Sequence, residues 1–259
     1  MPSSTGLLTA VSSHVASLLP DRVVAGAIRA VYPRIEPELA CLAEFMPAGG
    51  TALDVGAWYG PWTQRMRKLA DRVVAIEPNE ELARSVSSAF PEVRVVRAVA
   101  SDHEGSAELF LPKNGPAVGT SSLEHGDGSA TTVTVPRVTI DGLGLTDVRF
   151  MKIDVEGHEL PALRGAAETI HRDGPVLLIE VEERIQPVAP IIDLLDEWGY
   201  RGYVLPEREW LPLAEFDIRA NQRGAIARIN QSLARRVVLP RPRYVNSVLF
   251  KREGTGPVS

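Results

Sequence analysis

At 259 residues, 44% of them hydrophobic, the chain can bury a sizeable core in one elaborated α/β domain, and nothing in its composition demands a second. Its net charge of −5 supplies no positive field for nucleic acid, and its single cysteine, Cys41, excludes an intramolecular disulfide while fitting a reducing cytoplasm. No apolar run approaches the ~18 residues of a membrane-spanning helix; residues 6–20 are fairly apolar, but no Lys or Arg precedes them and Ser12, Ser13, His14 and Ser17 interrupt them, which suits a helix rather than a secretion signal.

Residues 7–46 predict two or three helices, with Leu8, Val11, Val15 and Leu18 on one apolar face and Leu39, Leu42, Phe45 and Met46 on another, a segment placed to cap a ligand pocket. Residues 52–55 and 73–76 are short runs rich in Val, Leu and Ile, which suit strands buried on both faces of a parallel sheet. Each run ends in chemistry. After the first, Gly56 and Gly60 permit a tight turn and close approach of the backbone to a ligand, and Pro61 is placed to open a helix. After the second, Glu77 stands 21 residues beyond Gly56, where a carboxylate at a strand tip takes both hydroxyls of an adenosine ribose. A dinucleotide site wants G-x-G-x-x-G, yet Trp58 holds the place of the second glycine and would obstruct a pyrophosphate. Asp54, just before the first glycine, repels phosphate and suits an ammonium or sulfonium group, so the pattern favours S-adenosylmethionine over NAD. The bland alternative is a plain strand, turn and helix with Glu77 as a solvated acid.

Pro78 and Asn79 start a helix that runs to about Phe90, and residues 93–96 make a third strand. Ser101 and Asp102 follow it, where loops at strand C-termini line the crevice and meet the adenine edge; a turn with local side-chain bonds fits the same residues. Alternation at 107–110 and 131–135 predicts exposed antiparallel strands. Between them the Gly- and Ser-rich stretch 115–130 is long enough for a mobile substrate loop, with hydroxyls at Thr120, Ser121 and Ser122. Residues 150–153 and 175–180 are a fourth and a fifth buried strand, 196–204 a helix end running into a further strand, and 244–250 a final strand. From Ile218 to Arg243 there are seven arginines and no acid, which suits a solvated helix face or a patch for phosphate, sulfate or an acidic glycan. Trp58, Tyr59 and Trp62 suit stacking on a sugar ring or packing of a lid.

Directly after the fourth strand, Asp154, Glu156, His158 and Glu159 place four titratable side chains in six positions. A helix N-terminus that favours acids explains the carboxylates but not His158, which is suited to accept a proton near neutral pH. Here the segment Lys152-Ile-Asp-Val-Glu-Gly-His-Glu159 resembles the signature of FkbM-type S-adenosylmethionine-dependent O-methyltransferases. The resemblance covers roughly residues 50–182, through Asp54-Val-Gly-Ala57 with Gly60, Glu77-Pro78, Ala100-Ser-Asp102, Ser121-Ser-Leu123, Leu163-Arg-Gly-Ala166 and Ile179-Glu-Val181, and returns in Val245-Asn-Ser-Val-Leu-Phe250. The chain departs from the family at Trp58, where Asn is usual.

The resemblance implies an α/β, Rossmann-like class I methyltransferase fold, with a seven-stranded, mostly parallel sheet and a reversed C-terminal hairpin. A helical N-terminal cap at 1–46, a cofactor-binding and catalytic core at 50–182 and a C-terminal substrate region at 183–259 would make one domain. It further implies methyl transfer to a hydroxyl of a sugar, glycolipid or polyketide-type product. Asp54, Gly56, Ala57, Gly60, Glu77, Ser101, Asp102 and Asp154 are the expected cofactor residues. His158 is the expected base, Glu180 the alternative base, and Glu156 orients histidine or substrate. Asp154 and Glu180, ending neighbouring strands, are also an oxygen pair for Mg2+. Two competing functions are a nicotinamide-dependent oxidoreductase and a non-catalytic S-adenosylmethionine-binding module. A cytoplasmic protein with a small-molecule or glycan substrate is expected, and self-association is left open.

Overall fold

The computed structural model describes residues 21–111, 131–229 and 243–254. The predicted face from Leu8 to Leu18, the stretch 115–130 with its hydroxyls, and Arg235, Arg236 and Arg241 lie outside the described residues. In chain order the strands are β1 (Thr51–Val55), β2 (Arg72–Ile76), β3 (Arg94–Val96), β4 (Val99–Ala100), β5 (Gly105–Leu111), β6 (Thr131–Val138), β7 (Val148–Ile153), β8 (Val176–Glu180), β9 (Tyr200–Val204), β10 (Leu211–Pro212) and β11 (Ser247–Arg252).

Eight of these strands form one sheet in the order β10-β9-β11-β8-β7-β1-β2-β3. The pairs from β8 through β7, β1 and β2 to β3 are parallel, and β11 runs antiparallel to both β8 and β9. The seven expected strands and the reversal at the C-terminal end are therefore present. The two-residue β10 adds an eighth strand, antiparallel to β9 at the sheet edge. All five residues of β1 are buried, as both-face coverage by helices requires of a central parallel strand.

Strand alternation sorts the side chains into two cores. Leu53, Val55, Met151, Ile153, Leu177 and Ile179 face the core beneath helices Glu159–Arg164 and Ala189–Glu197. Ala52, Phe150, Leu178 and Leu249 face the other, which is completed by Leu39, Leu42, Phe45 and Met46 as the spacing predicted. The N-terminal segment is helical at Asp21–Val31, Pro37–Ala40 and Leu42–Phe45, with a tight turn at Tyr32–Arg34. Two positions on from Ala52, Phe150 and Leu178 stand Asp54, Lys152 and Glu180, so these polar side chains lie on the face that the N-terminal segment covers.

After β3 the chain leaves the main sheet. β4, β6 and β5 form a small separate sheet in which β5 and β6 pair antiparallel, as expected. These strands are not exposed on both sides: Ala107, Leu109 and Val135 bury one face against Val99. The predicted helix after β2 spans Glu80–Ala89, and the Asn79 side chain caps it by accepting from the N–H groups of Glu81 and Leu82.

Candidate active site

Four strand tips meet at the carboxyl end of the sheet, on either side of the point where the strand order turns back between β1 and β7. At the tip of β1, Gly56 has φ +84°, and a Cβ there would lie 1.7 Å from the Asp154 carbonyl oxygen. The glycine is required by its close approach to the backbone after β7, which the Asp154 N–H to Val55 O bond of 2.9 Å holds in place. The sequence reading placed a ligand at that approach; the structure places the Asp154 peptide there.

Asp54 is 1% exposed. Its Oδ2 accepts from the Thr63 hydroxyl, while Oδ1 is buried with no hydrogen-bond partner among the described residues. Burial pushes its carboxyl up to about 6 against the pull of Lys152 and Thr63. Glu77, also buried, accepts from the Trp58 N–H at 2.8 Å and the Asn79 N–H at 2.9 Å, one on each oxygen. Each oxygen keeps a second lone pair. Burial holds the Glu77 carboxyl up at about 7, despite those two bonds.

Beyond β7 the four titratable residues divide. Lys152 donates to Asp154 Oδ2 at 2.8 Å and lies 5.6 Å from the centre of the Trp62 ring. Burial works against its ammonium, but Asp154, Glu180 and Asp54 together outweigh burial and raise its pKa. Glu180 is held well above the usual carboxylate range by burial and then by Asp154, to which it is hydrogen-bonded, and it also accepts from the Asn246 amide. Glu156, a non-glycine residue with φ +50°, is pushed up to about 8 by burial, then by Asp154 and Glu182. Glu159 turns back on its own loop, accepting from the N–H groups of Val155 and Gly157, and lines the small pocket at this tip with Asp154, Glu156, Glu180 and Glu182.

His158 departs from the acids: its Nε2 lies 2.9 Å from Ser101 Oγ, and Ser101 Oγ lies 3.2 Å from Asp102 Oδ1. The contact brings the loops after β4 and β7 together. It is reinforced at Gly165, where a Cβ would lie 1.8 Å from the Ser101 carbonyl oxygen. Asp154, Glu156 and Glu180 thus line one pocket, with Asp54 buried at the β1 tip in register with Lys152, Glu77 at the β2 tip and the Ser101, Asp102 and His158 group beyond β4.

A family match bears on the competing functions. The Methyltransferase FkbM domain matches residues 54–201, more than half of the chain. The chain belongs to the FkbM methyltransferase family. Among solved structures it is similar to methyltransferase FkbM from Methylobacillus flagellatus KT, at 15% identity and a TM-score of 0.48, over 81% of this chain and 45% of that one. The chain therefore spans less than half the length of that protein. It is also similar to SMU.1697c from Streptococcus mutans, solved in complex with SAH (12% identity, TM-score 0.45, 84% and 97% of the two chains), and to a TehB-like SAM-dependent methyltransferase from Corynebacterium glutamicum (18%, 0.41, 69% and 82%). No curated protein matches the chain.

For an FkbM methyltransferase the crevice fits the family's cofactor. The unpartnered Asp54 Oδ1 offers a buried acceptor to a cationic group, and the free lone pairs of Glu77 suit a pair of hydroxyls. The Mg2+ that the sequence allowed does not fit. Asp154 Oδ2 is taken by the Lys152 ammonium, and Glu180 is bonded to Asp154 and Asn246. Among the described residues no group of three or more His, Cys, Asp or Glu side chains is gathered to hold a metal. No described helix is long and apolar enough to cross a membrane.

Sequence reasoning missed Lys152 as a site residue, since it was read only as part of a signature, and did not single out the acids Glu36 and Glu38 of the N-terminal segment. Glu36 and Glu38 flank Pro37 in an otherwise apolar stretch, a signal that these acids had a buried partner. The partner is Arg243, which bonds both oxygens of the fully buried Glu38, lies 3.5 Å from Glu36 and donates to Leu205 O at 2.7 Å. Of the arginine-rich segment, Arg219 faces Glu183 at 3.4 Å, so two of its members are spent within the fold.

Proposed function

We propose that the protein is an S-adenosylmethionine-dependent O-methyltransferase acting on a hydroxyl of a sugar, glycolipid or polyketide-type product. The observation that carries this is an unpartnered buried Asp54 oxygen at the tip of β1, on a strand next to the one that ends in Asp154, in an FkbM chain. When bound, the cofactor supplies a methyl group on a positively charged sulfur. Asp54, Gly56, Ala57, Gly60, Glu77, Ser101 and Asp102 would hold it, with Asp154 at its methionine end.

Transfer to oxygen needs in-line approach and removal of the hydroxyl proton, so positioning and a base are what the protein must contribute. Glu180, held well above the usual carboxylate range by burial and by the neighbouring Asp154, has the raised proton affinity that suits a base for the acceptor hydroxyl. Lys152 holds Asp154 in place beside it. Glu156, raised to about 8, is suited to orient the hydroxyl. His158 is the other candidate base, and its bond to Ser101 would position it from the adenine side.

Single-turnover assays with methyl-labelled S-adenosylmethionine and a panel of hydroxylated acceptors test both the function and the base. The expected outcome is a labelled methyl ether, with Glu180→Gln slowed roughly 100-fold or more, the size of a general-base contribution. Retention of wild-type rate in Glu180→Gln together with its loss in His158→Ala would move the base to His158. Label found only on nitrogen or carbon would overturn O-methylation.

A further inference from the structure

At the opposite end of the sheet from the cofactor crevice, where β1, β2 and β3 begin, a groove of about 390 Å³ opens between the strand starts and the turn before β7. A strand advances ~3.3 Å per residue, so the five residues of β1 set this groove roughly 15 Å from the crevice. None of its lining residues belongs to the acid-lined pocket after β7. Buried Val73, Val74, Val93 and Leu145 give the groove an apolar lining. Its charged lining is Arg67, Arg72 and Arg94 against Asp71 and Glu92. Both acids are already engaged: Glu92 is paired with Arg67, while Asp71 accepts from the Gly50 N–H at 2.9 Å and raises the pKa of Arg149.

Arg72 and Arg94 are left with neutral acceptors among the described residues. Arg72 Nε donates to the hydroxyl of buried Thr51 at 3.2 Å and its Nη2 to Thr146 O at 3.4 Å, and Arg94 Nη1 donates to Leu143 O at 3.5 Å. The strand register brings them together: Thr51 pairs with Arg72, and Val74, two residues on, pairs with Arg94, so alternation puts all three on one sheet face. Both arginines are exposed to solvent. Two guanidinium groups on neighbouring strands repel each other, a cost that a bound anion removes. Each presents five donors, of which Arg72 spends two and Arg94 one within the fold, so both keep donors for the oxygens of a ligand. A phosphomonoester carries a charge of about −1.5 to −2 near neutral pH and balances both arginines, whereas a carboxylate balances one.

We propose that this groove is a second ligand site, which takes a small phosphomonoester with its phosphate on Arg72 and Arg94 and an apolar body against Val73, Val74, Val93 and Leu145. The site is separate from the cofactor and acceptor crevice, and it stands whether or not the methyltransferase function above does.

The test follows backbone amide NMR signals of the full chain during titration with phenyl phosphate, inorganic phosphate and benzyl alcohol. Phenyl phosphate should bind with a Kd of about 1 mM or tighter and shift the amides of Thr51, Arg72, Arg94 and Thr146. Inorganic phosphate should shift the same amides about tenfold more weakly, and benzyl alcohol should leave them unmoved. Arg72→Gln and Arg94→Gln should each weaken phenyl phosphate about tenfold or more, with signals away from the groove unchanged as the check on folding. Arg208→Gln, an exposed arginine between β9 and β10 at the other edge of the sheet, should stay within about twofold of wild type, as should wild type saturated with S-adenosylhomocysteine. Absence of phenyl phosphate binding, shifts confined to other amides, equal binding of benzyl alcohol, or affinity indifferent to both groove substitutions would each overturn the proposal. Displacement by S-adenosylhomocysteine would overturn it too, by placing the probe in the crevice.

Discussion

Asp54 and Glu77 are carboxyls that the fold keeps out of water before any ligand arrives. Their raised values, about 6 and about 7, mean that the folded state holds protons the unfolded chain has released between about pH 4 and 7. The stability they contribute is complete below their unfolded values and is lost as pH rises through the folded ones. Removing that titration in Asp54→Asn should flatten the fall in apo-protein stability between pH 4 and pH 7 by on the order of 2 kcal/mol, read from thermal melts. Binding of cationic S-adenosylmethionine to wild type should strengthen over the same range, because the cation selects ionised Asp54. An Asp54→Asn protein with the wild-type pH slope would show that Asp54 does not titrate as placed. Trp58 and Glu156, two of the three described non-glycine residues at positive φ, also stand at this crevice, where strain of about 1–3 kcal/mol each is characteristic of functional positions.

At the scale of elements, Arg243, shortly before β11, clasps the N-terminal segment through Glu38, 205 residues away in sequence, and through Glu36. Because Glu38 is fully buried, removing its partner leaves an uncompensated charge. Arg243→Met should cost about 3–5 kcal/mol in urea denaturation, and adding Glu38→Met should recover much of that loss. A cost below about 1 kcal/mol for Arg243→Met would place the pair at the surface in energetic terms. This junction also marks where sequence stops being informative. The central strands were legible because a run such as Val73–Ile76 is apolar on both faces, and the face Leu39, Leu42, Phe45, Met46 was legible because its spacing is helical. The clasp was not, since a pair so far apart in sequence leaves no local pattern. β4 was missed because two residues carry no period, and its departure into a second sheet depends on β6, which lies more than thirty residues later. Among site residues, Asp54, Glu77, Asp154 and Glu180 could be placed by their position at strand tips. The direction of the His158 ring toward Ser101 could not, because it depends on how the loop after β7 turns.

At the scale of the whole molecule, the sheet order puts every one of these groups at one edge. Parallel strands β1, β2, β7 and β8 all end there, and alternation along β1, β7 and β8 turns Asp54, Lys152 and Glu180 to the face the N-terminal segment covers. The central claim is that this edge is an S-adenosyl cofactor crevice. Calorimetric titration with S-adenosylhomocysteine and, separately, NADH tests it most directly. Binding of S-adenosylhomocysteine at about micromolar Kd, weakened about tenfold or more in Asp54→Ala and in Glu77→Ala, with no binding of NADH, is the predicted result. Binding of NADH alone, or S-adenosylhomocysteine affinity indifferent to both substitutions, would contradict it.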